Sequence, residues 1–436
     1  MENKVKKKRK IFLLIFLFSM FFSISSFAQN SSNHGKSEKS SGNFQVFFDI
    51  ISFKGNVPNK TDIKFFLQVP YRSLSFIKRG KQFLGEYSVD LIFYDKEEKK
   101  VLFEKIWNEK LKVNNYRQTE SKKSYNISYK DILLTPGNYA IKGNIADKYS
   151  LENITFNAKL NVRKIDTTFG MSDVIFSEKG SKDKASKVII PNVSNIVTNK
   201  DDSLNIYYQV YSDKQRGAMA KYTIYSKEED ESFLVSEFLD LKKGTNDIFF
   251  TIRNVEFKLG KYNLTVSITA EDTSETVITS KDFVSIIKYY PRSITNLDEA
   301  IKEMVYIATP SKMDYILEAK TYSEKLKRFE DFWKSKDPSP ATPKNEVLNE
   351  YYRRVDYANR HFKHYFPGWK TDMGKIYITL GPPHQIDRHP LELGTNPYEI
   401  WTYYDLNRQF VFLDETGFGD YRLITPLYGD WYKYRQ

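Results

Sequence analysis

The chain has 436 residues, of which 40% are hydrophobic, and this length is sufficient for two to four domains. It has no cysteine, which excludes disulfide bonds and thiolate metal sites as sources of stability. Lysine and arginine (67) exceed aspartate and glutamate (55) only modestly, and the two signs are interspersed, so the charge pattern argues against nucleic acid binding.

The first 28 residues have the pattern of a cleavable secretory signal. A basic stretch over 4–10 precedes the apolar segment 11–27, and Ser26 and Ala28 place small residues before a cleavage site at Gln29. The alternative is an uncleaved anchor, because the apolar segment is just long enough to span a thinned bilayer. We expect cleavage and export, with the mature protein periplasmic, envelope-associated or secreted and without stable membrane insertion.

Residues 29–43 are polar and low in complexity, which predicts a flexible linker. The following 44–290 alternate apolar and polar residues in short runs separated by turn residues, as strands of β-sandwiches do. The segment "LTPGNYAIKGNI" around Tyr139 resembles "FKLGKYNLTVSI" around Tyr262. The repeat predicts two tandem all-β, immunoglobulin-like sandwiches at 44–165 and 166–290, acting as spacers or binding modules.

In the last part of the chain, 291–436, apolar residues first recur at helical spacing and then alternate with polar ones. This pattern predicts an α+β module: helices over 295–366 followed by a small antiparallel sheet over 374–427. In the longest helix, Thr342 is the predicted N-cap and Pro343 the first residue. The alternation of isoleucine and polar residues in "KIYITL" predicts a strand over 375–380.

Several ordered segments of this module resemble the GWxTD domain of exported bacterial proteins. They are "FWKSKDPSPATPKNE", "EYYRRVDYAN", "PGWKTDMGKIYITLGPPHQIDRHP", "PYEIWTYYD" and "FVFLDETGFGDYRL", which together cover about 320–427. The name corresponds to Gly368, Trp369, Thr371 and Asp372. The resemblance implies no established activity, catalytic residue or cofactor. The residues that we assign to the structural motif are Gly368, Trp369, Thr371, Asp372, Gly374, Gly381 and Pro382.

Some polar residues of the module are candidates for chemistry. Asp372, with Asp414 or Glu399 as a partner carboxylate, has the residue types needed for glycoside hydrolysis. The competing interpretation is that Thr371 and Asp372 cap the amides of a turn. His361 and His364 are spaced three residues apart on a helix and are weak candidates for a metal site, with surface histidines as the alternative. No nucleophile elbow or phosphate-binding loop occurs.

Aromatic residues crowd the module, and Trp369, Trp401 and Tyr403 are the candidate ligand-binding residues. The alternative is that these rings form the core, with Trp369 as a buried anchor. We expect a non-enzymatic binding or scaffold protein of the cell envelope, without a cofactor, whose GWxTD module binds a protein or polysaccharide. The alternative function is a hydrolase acting on an envelope polymer through carboxylates near Asp372.

Overall fold

The structure is a computed structural model that describes most of the chain. The described ranges are 46–121, 124–150, 152–178, 189–198, 201–226, 230–291, 293–342, 344–390 and 396–426, together with the backbone of 34–36 and 39–40. The predicted signal and its cleavage site lie outside them. Within these ranges, no helix is long and apolar enough to cross a membrane. The chain is mostly β-structure in several sheets, followed by helices and a final antiparallel sheet.

The first part of the chain forms two sheets that share one hydrophobic core. One sheet has the strand order β1-β3-β4-β8, and the other has β2-β10-β9-β6-β5 with β7 on the remaining edge of β6. Alternate residues of these strands are buried, which is the pattern of a sheet with one face on a core. The strands are β1 (His34–Lys36), β2 (Lys39–Ser40), β3 (Phe47–Lys54), β4 (Thr61–Pro70), β5 (Ile77–Arg79), β6 (Gln82–Asp95), β7 (Val101–Val113), β8 (Tyr125–Leu134), β9 (Gly137–Asp147) and β10 (Asn153–Val162), and one short helix, α1 (Tyr116–Thr119), follows β7.

The strands β1 and β2 lie within the segment that the sequence predicts to be a flexible linker. They pair with β3 and β10 respectively, so each extends one of the two sheets. The linker prediction is therefore wrong for these five residues. Backbone pairing with an open sheet edge needs no apolar side chains, and this is why a polar segment gave no strand signal.

The second part of the chain also forms two sheets around one core. In one sheet β14 pairs with β11 and β12 along one edge and with β17 along the other, and the second sheet has the order β13-β19-β18-β15-β16. The strands are β11 (Phe169–Met171), β12 (Ile175–Ser177), β13 (Ile196–Thr198), β14 (Ser203–Ser212), β15 (Arg216–Ser226), β16 (Glu231–Leu241), β17 (Gly244–Arg253), β18 (Gly260–Ala270) and β19 (Thr276–Ile286).

The two pairs of sheets repeat one strand order. The series β3-β4-β8 and β10-β9-β6-β7 of the first pair correspond to β12-β14-β17 and β19-β18-β15-β16 of the second. Tyr139 on β9 and Tyr262 on β18 make the same contact, because each hydroxyl donates to the carbonyl oxygen four residues upstream, at Thr135 (2.7 Å) and Lys258 (3.0 Å). The sequence echo thus corresponds to equivalent strands.

The C-terminal part contains helices packed on the end of the second sheet pair and then a four-stranded sheet. The buried side chains of the helices share one core with Leu259 and Ile287, which flank β18 and β19. The final sheet has the order β20-β21-β22-β23, all antiparallel. The elements are α2 (Leu297–Glu303), α3 (Pro310–Leu317), α4 (Tyr322–Lys334), α5 (Glu346–His361), a 3₁₀ turn (Gly368–Lys370), α6 (Asp372–Leu380), β20 (Gln385–His389), β21 (Tyr398–Tyr403), β22 (Arg408–Asp414) and β23 (Tyr421–Leu423).

The helix α5 begins later and ends earlier than the sequence predicts. Its N-cap is Asn345, whose side-chain oxygen accepts from the amide of Leu348, and the predicted N-cap Thr342 lies outside the helix. Asparagine is as good an N-cap as threonine, and Asn345 satisfies an amide of the first turn in place of the predicted Thr342. The helix ends at His361, and the residues before Pro367 are irregular.

The predicted strand over 375–380 is wrong, because these residues belong to α6. Thr371 is the N-cap, and Gly381 ends the helix with a positive φ of 86°. The side chains of Met373, Ile376 and Tyr377 are buried at helical spacing. The apolar residues of this short segment satisfy the periods of both a strand and a helix, and the threonine cap and the glycine stop decide in favour of the helix.

Candidate functional site

The 3₁₀ turn that contains the Gly-Trp pair lies directly against α5. A side chain at Gly368 would place its Cβ atom 1.8 Å from the carbonyl oxygen of Ala358, so only glycine fits at this contact. The requirement comes from this close approach of two backbone segments. Gly368 therefore fixes how near the turn comes to the helix.

Trp369 is buried in the helical core, where Val355, Ala358 and Ile378 are among the neighbouring core residues. Its amide donates to the side-chain oxygen of Asn359 at 3.0 Å, and its carbonyl oxygen accepts from the hydroxyl of Tyr306 at 2.8 Å. The tryptophan thus joins α5 to the segment after α2. It is not an exposed binding residue.

Thr371 and Asp372 have different roles, although both were predicted to cap a turn. The Thr371 hydroxyl accepts from the amide of Gly374 at 3.0 Å and donates to the carbonyl oxygen of Gly368 at 2.8 Å. The Asp372 carboxylate instead accepts from the amide of Leu423 on β23, at 3.0 Å. Asp372 therefore attaches the last described strand to α6, and the prediction that it caps the turn is wrong.

The backbone also explains the other two glycines of the motif, Gly374 by a close contact and Gly381 by its positive φ. A Cβ atom at Gly374 would lie 1.9 Å from the carbonyl oxygen of Gly368. Gly381 has a positive φ, and its carbonyl oxygen accepts from the hydroxyl of Tyr403 at 2.7 Å. Pro382 follows and lines a pocket that is described below. The motif as a whole is a junction between α5, α6 and the final sheet.

The two proposed partner carboxylates are also held by hydrogen bonds. Asp414 is buried and accepts from three amides, those of Thr416, Gly417 and Gly419, and from the Thr416 hydroxyl. Burial would raise the pKa of Asp414, but the bonds from Gly419, Thr416 and Gly417 together hold it below its ordinary value. Such a carboxylate stays ionised and orders the turn between β22 and β23.

Glu399 lies at the edge of the pocket and has two hydrogen-bond donors. One of its oxygens accepts from the Arg388 guanidinium at 3.1 Å, and the other accepts from the indole N–H of Trp401 at 3.0 Å. Glu399 lies on β21. Asp372 accepts from a backbone amide of β23, and Asp414 accepts from amides of the loop after β22. All three predicted acids therefore stabilise the final sheet.

His361 and His364, the weak candidates for a metal site, each pack against a neighbouring tyrosine. His361 Nδ1 lies 2.9 Å from the carbonyl oxygen of Tyr357, and its ring stacks on the Tyr357 ring at 3.9 Å. His364 lies in the following loop, with its ring against Tyr365. Among the described residues, no group of three histidine or acidic side chains is placed to hold a metal ion. His361 and His364 instead line the pocket.

This pocket has a volume of about 460 Å³ and lies between α5, α6 and the final sheet. Trp401 and Tyr403, the other two predicted binding residues, are almost fully buried in the core beneath the sheet. Trp401 reaches the wall of the pocket, but Tyr403 is not part of it. The remaining lining residues are Tyr357, Phe362, Lys363, Thr371, Met373, Tyr377, Pro382, Pro383, Ile386, Arg388, Glu399, Gly419, Asp420 and Tyr421, besides the two histidines.

Three exposed aromatic residues flank the pocket, and we call them the aromatic rim: Tyr365, Phe366 and Phe418. Their exposed fractions are 83%, 59% and 78%. The two loops that carry them are adjacent, since a Cβ atom at Gly419 would lie 3.9 Å from the His364 ring. None of the three rim residues is among the binding residues predicted from the sequence. The signal in the sequence was Phe418, which lies between two glycines in a hairpin turn, where an aromatic ring is not expected to be part of a core.

These features define a class: a β-rich protein whose C-terminal module is organised by a buried Gly-Trp-x-Thr-Asp junction. Residues 260–422 match the GWxTD domain, so the chain contains a GWxTD domain. The match begins at the first residue of β18, so it includes β18 and β19 as well as residues 291–422 of the module predicted at 291–436. The helical core shares Leu259 and Ile287 with the second sheet pair, and these residues lie directly before β18 and directly after β19.

Other comparisons give no indication of function. No curated protein matches the chain. Solved structures that match include a red sea bream transglutaminase (9% identity, TM-score 0.18, 55% of this chain and 31% of that one). A Bacteroides uniformis beta-glucuronidase matches with 9% identity and a TM-score of 0.20 over 51% of this chain and 26% of that one. A DUF4785 family protein from Legionella pneumophila matches with 10% identity and a TM-score of 0.18 over 55% and 56%. These similarities are too low to support an argument.

Proposed function

We propose that this chain is an exported, non-enzymatic binding protein of the cell envelope, whose GWxTD module docks a partner protein on the aromatic rim and the adjacent pocket. The two sheet pairs are, in this proposal, immunoglobulin-like sandwiches that act as spacers for the module. The observation that carries the proposal is the exposure of three large aromatic side chains within two adjacent loops.

The aromatic rim has the character of a protein-docking surface. Adjacent exposed apolar side chains bordered by charged groups are uncommon on a monomer and mark sites of association. Here Lys363, Arg388 and Asp420 supply both signs of charge beside the rings. A partner that places an apolar side chain in the pocket would bury these rings and pair with the charged edge.

A protein partner suits the pocket better than a glycan does, because the rings in its wall do not offer open faces. Tyr357 is covered on one face by His361 (3.9 Å) and on the other by Tyr377 (4.3 Å). Trp401 is almost fully buried among Phe362 and Phe412. A sugar ring needs a flat aromatic face for stacking, whereas an apolar side chain needs only apolar edges.

The alternative function, hydrolysis of an envelope polymer, has less support. A catalytic carboxylate must reach the substrate and exchange a proton with it. Asp372 and Asp414 already accept hydrogen bonds from backbone amides, and Glu399 is held by Arg388 and Trp401. These contacts give each of the three acids a structural role.

Site-specific photo-crosslinking in the producing cell tests the proposal. A photoreactive phenylalanine analogue is placed at Tyr365 or Phe418, and at Tyr116, which is 61% exposed on α1 and far along the chain from the module. We expect one discrete protein adduct from both rim positions and none from Tyr116. The Tyr365→Ser/Phe418→Ser double variant should lose co-purification of the same partner at an unchanged melting temperature. Equal labelling at Tyr116, or co-purification that survives the double substitution, would contradict the proposal.

A further inference from the structure

The two sheet pairs are rigidly joined, which is more than simple spacers require. Lys281 of the second pair forms an ion pair with Asp49 of the first at 2.5 Å, and both side chains are buried. Asp173 of the second pair accepts from the Ser52 amide at 2.7 Å and binds Arg163 at 2.8 Å. Breaking a buried ion pair is strongly unfavourable, so these contacts hold one relative orientation.

A cleft of about 670 Å³ opens beside this joint, between the outer faces of the sheets that contain β4 and β14. This volume lies within the range of small-ligand sites, roughly 300–1,000 Å³. Side chains of β4, including Lys64 and Phe66, form one side, and Tyr207, Gln209 and Tyr211 of β14 form the other. Because the joint is rigid, the cleft is preorganised and little conformational entropy is lost when a ligand binds.

A chain of hydrogen bonds crosses the floor of the cleft. The Lys54 amide donates to the Tyr211 hydroxyl at 3.0 Å, and that hydroxyl donates to Gln209 at 2.7 Å. The Gln209 amide group donates to both Tyr207 and Asp247 at 3.0 Å. This network fixes the polar side chains of the floor in one arrangement, as binding sites for polar ligands require.

Other polar groups of the cleft are available to a ligand. The side chains of Asn56 and Thr245 have no hydrogen-bond partner among the described residues, and the Lys54 ammonium has only a ring contact with Tyr211, at 5.5 Å. They supply hydrogen-bond donors and acceptors together. Charges of both signs are interspersed, because Lys64 pairs with Asp131 (2.6 Å) and Asp62 (3.8 Å), and Lys54 shares the cleft with Asp247 behind its floor. An ionic ligand is therefore not selected.

An aromatic wall completes the site. Tyr129 is 56% exposed and lies beside Phe66, with ring centroids 5.9 Å apart. The central strands of the floor, β4 and β14, are paired along both edges, so they offer no backbone for the addition of a peptide strand. Recognition must therefore use side chains: the exposed ring of Tyr129, which has the Lys64 ammonium 5.9 Å from its centroid, and a mixed set of neutral and charged polar groups.

We propose that this cleft between the two sheet pairs binds a neutral oligosaccharide. A sugar ring presents an apolar face, which stacks on the Tyr129 wall, and an edge of hydroxyl groups, which exchange hydrogen bonds with Lys54, Asn56 and Thr245. The inference concerns a different surface from the aromatic rim, so either proposal can fail without the other.

Isothermal titration calorimetry on the full chain tests it, with maltohexaose, cellohexaose, xylohexaose and chitohexaose as probes. We expect at least one to bind with a stoichiometry of one. Tyr129→Ala should weaken that binding about tenfold, which corresponds to about 1.4 kcal/mol, the scale of one aromatic contact. Thr245→Arg, a substitution at an exposed position, should block the cleft and abolish binding.

Two controls separate this site from other surfaces. Tyr116→Ala and the Tyr365→Ser/Phe418→Ser variant should bind the hexasaccharide as the wild type does. Absence of heat with all four probes would overturn the inference. An equal affinity of the Tyr129→Ala, Thr245→Arg and wild-type proteins, or binding only to an acidic hexasaccharide such as hexagalacturonic acid, would overturn it as well.

Discussion

The carboxyl group of Glu303 makes the stability of the C-terminal module depend on pH. Glu303 is the last residue of α2, and it accepts from the Asn359 side chain at 3.3 Å. Burial raises its pKa from the ordinary 4.5 to about 7, with a smaller contribution from the charges of Glu299 and Asp356. Asn359 also holds the amide of Trp369, so this carboxyl group lies next to the GWxTD junction.

The sign of the effect follows from proton binding. Between pH 4.5 and 7 the folded protein keeps a proton on Glu303 that the unfolded chain has lost, so the free energy of unfolding falls as the pH rises. A difference of about 2.5 pH units, at about 1.36 kcal/mol per unit, corresponds to about 3 kcal/mol. The stabilisation is present below pH 4.5 and is lost as the pH rises through 7.

The Glu303→Gln substitution removes this titration and keeps the shape and hydrogen-bonding capacity of the side chain. We expect the variant to gain about 3 kcal/mol relative to the wild type between pH 4.5 and 8. Urea titrations followed by tryptophan fluorescence measure this, because four of the five tryptophans lie after residue 291. The control is Glu318→Gln, at an exposed position after α3, which should follow the wild-type profile. Parallel pH profiles for wild type and Glu303→Gln would refute the reasoning.

Two further predictions concern the motif itself. Trp369→Ala should destabilise the C-terminal module by about 3–5 kcal/mol, the usual cost of truncating a buried tryptophan, whereas Asp372→Asn should cost only about 1–2 kcal/mol; urea titrations that rank the two variants in the reverse order would contradict the assigned roles. Gly368→Ala should destabilise the module strongly although it adds only one methyl group. The Cβ atom of the new alanine would overlap the Ala358 carbonyl oxygen. A wild-type melting temperature for this variant would exclude the close approach of turn and helix.

Local patterns in the sequence were sufficient to predict most strands, since a sheet with one buried face imposes a two-residue period along each strand. The helix α5 has the same local character: Leu348, Tyr351, Val355 and Ala358 are buried at helical spacing, and Glu350 pairs with Arg354 at 2.8 Å. These features depend on residues that are neighbours in the chain or on one face of an element.

Features that depend on distant residues could not be predicted in this way. The helix α6 was taken for a strand because six residues with alternating isoleucines do not distinguish the two periods. The bond from the Leu423 amide to Asp372 joins residues 51 positions apart, and no local pattern specifies it. The cleft likewise requires the packing of the two sheet pairs against each other, to which Asp49 and Lys281 contribute from positions 232 residues apart.

The residues that give the GWxTD domain its name are engaged in holding the module together, and this bears on where its function lies. Gly368 contacts α5, Trp369 fills the helical core, Thr371 caps α6, and Asp372 binds β23. These contacts all join neighbouring elements of the same module. The motif therefore specifies the shape of the module, and the adjacent loops supply the exposed side chains. Partner recognition should accordingly change when the loops around Tyr365 and Phe418 are exchanged, while the junction and its stability remain the same.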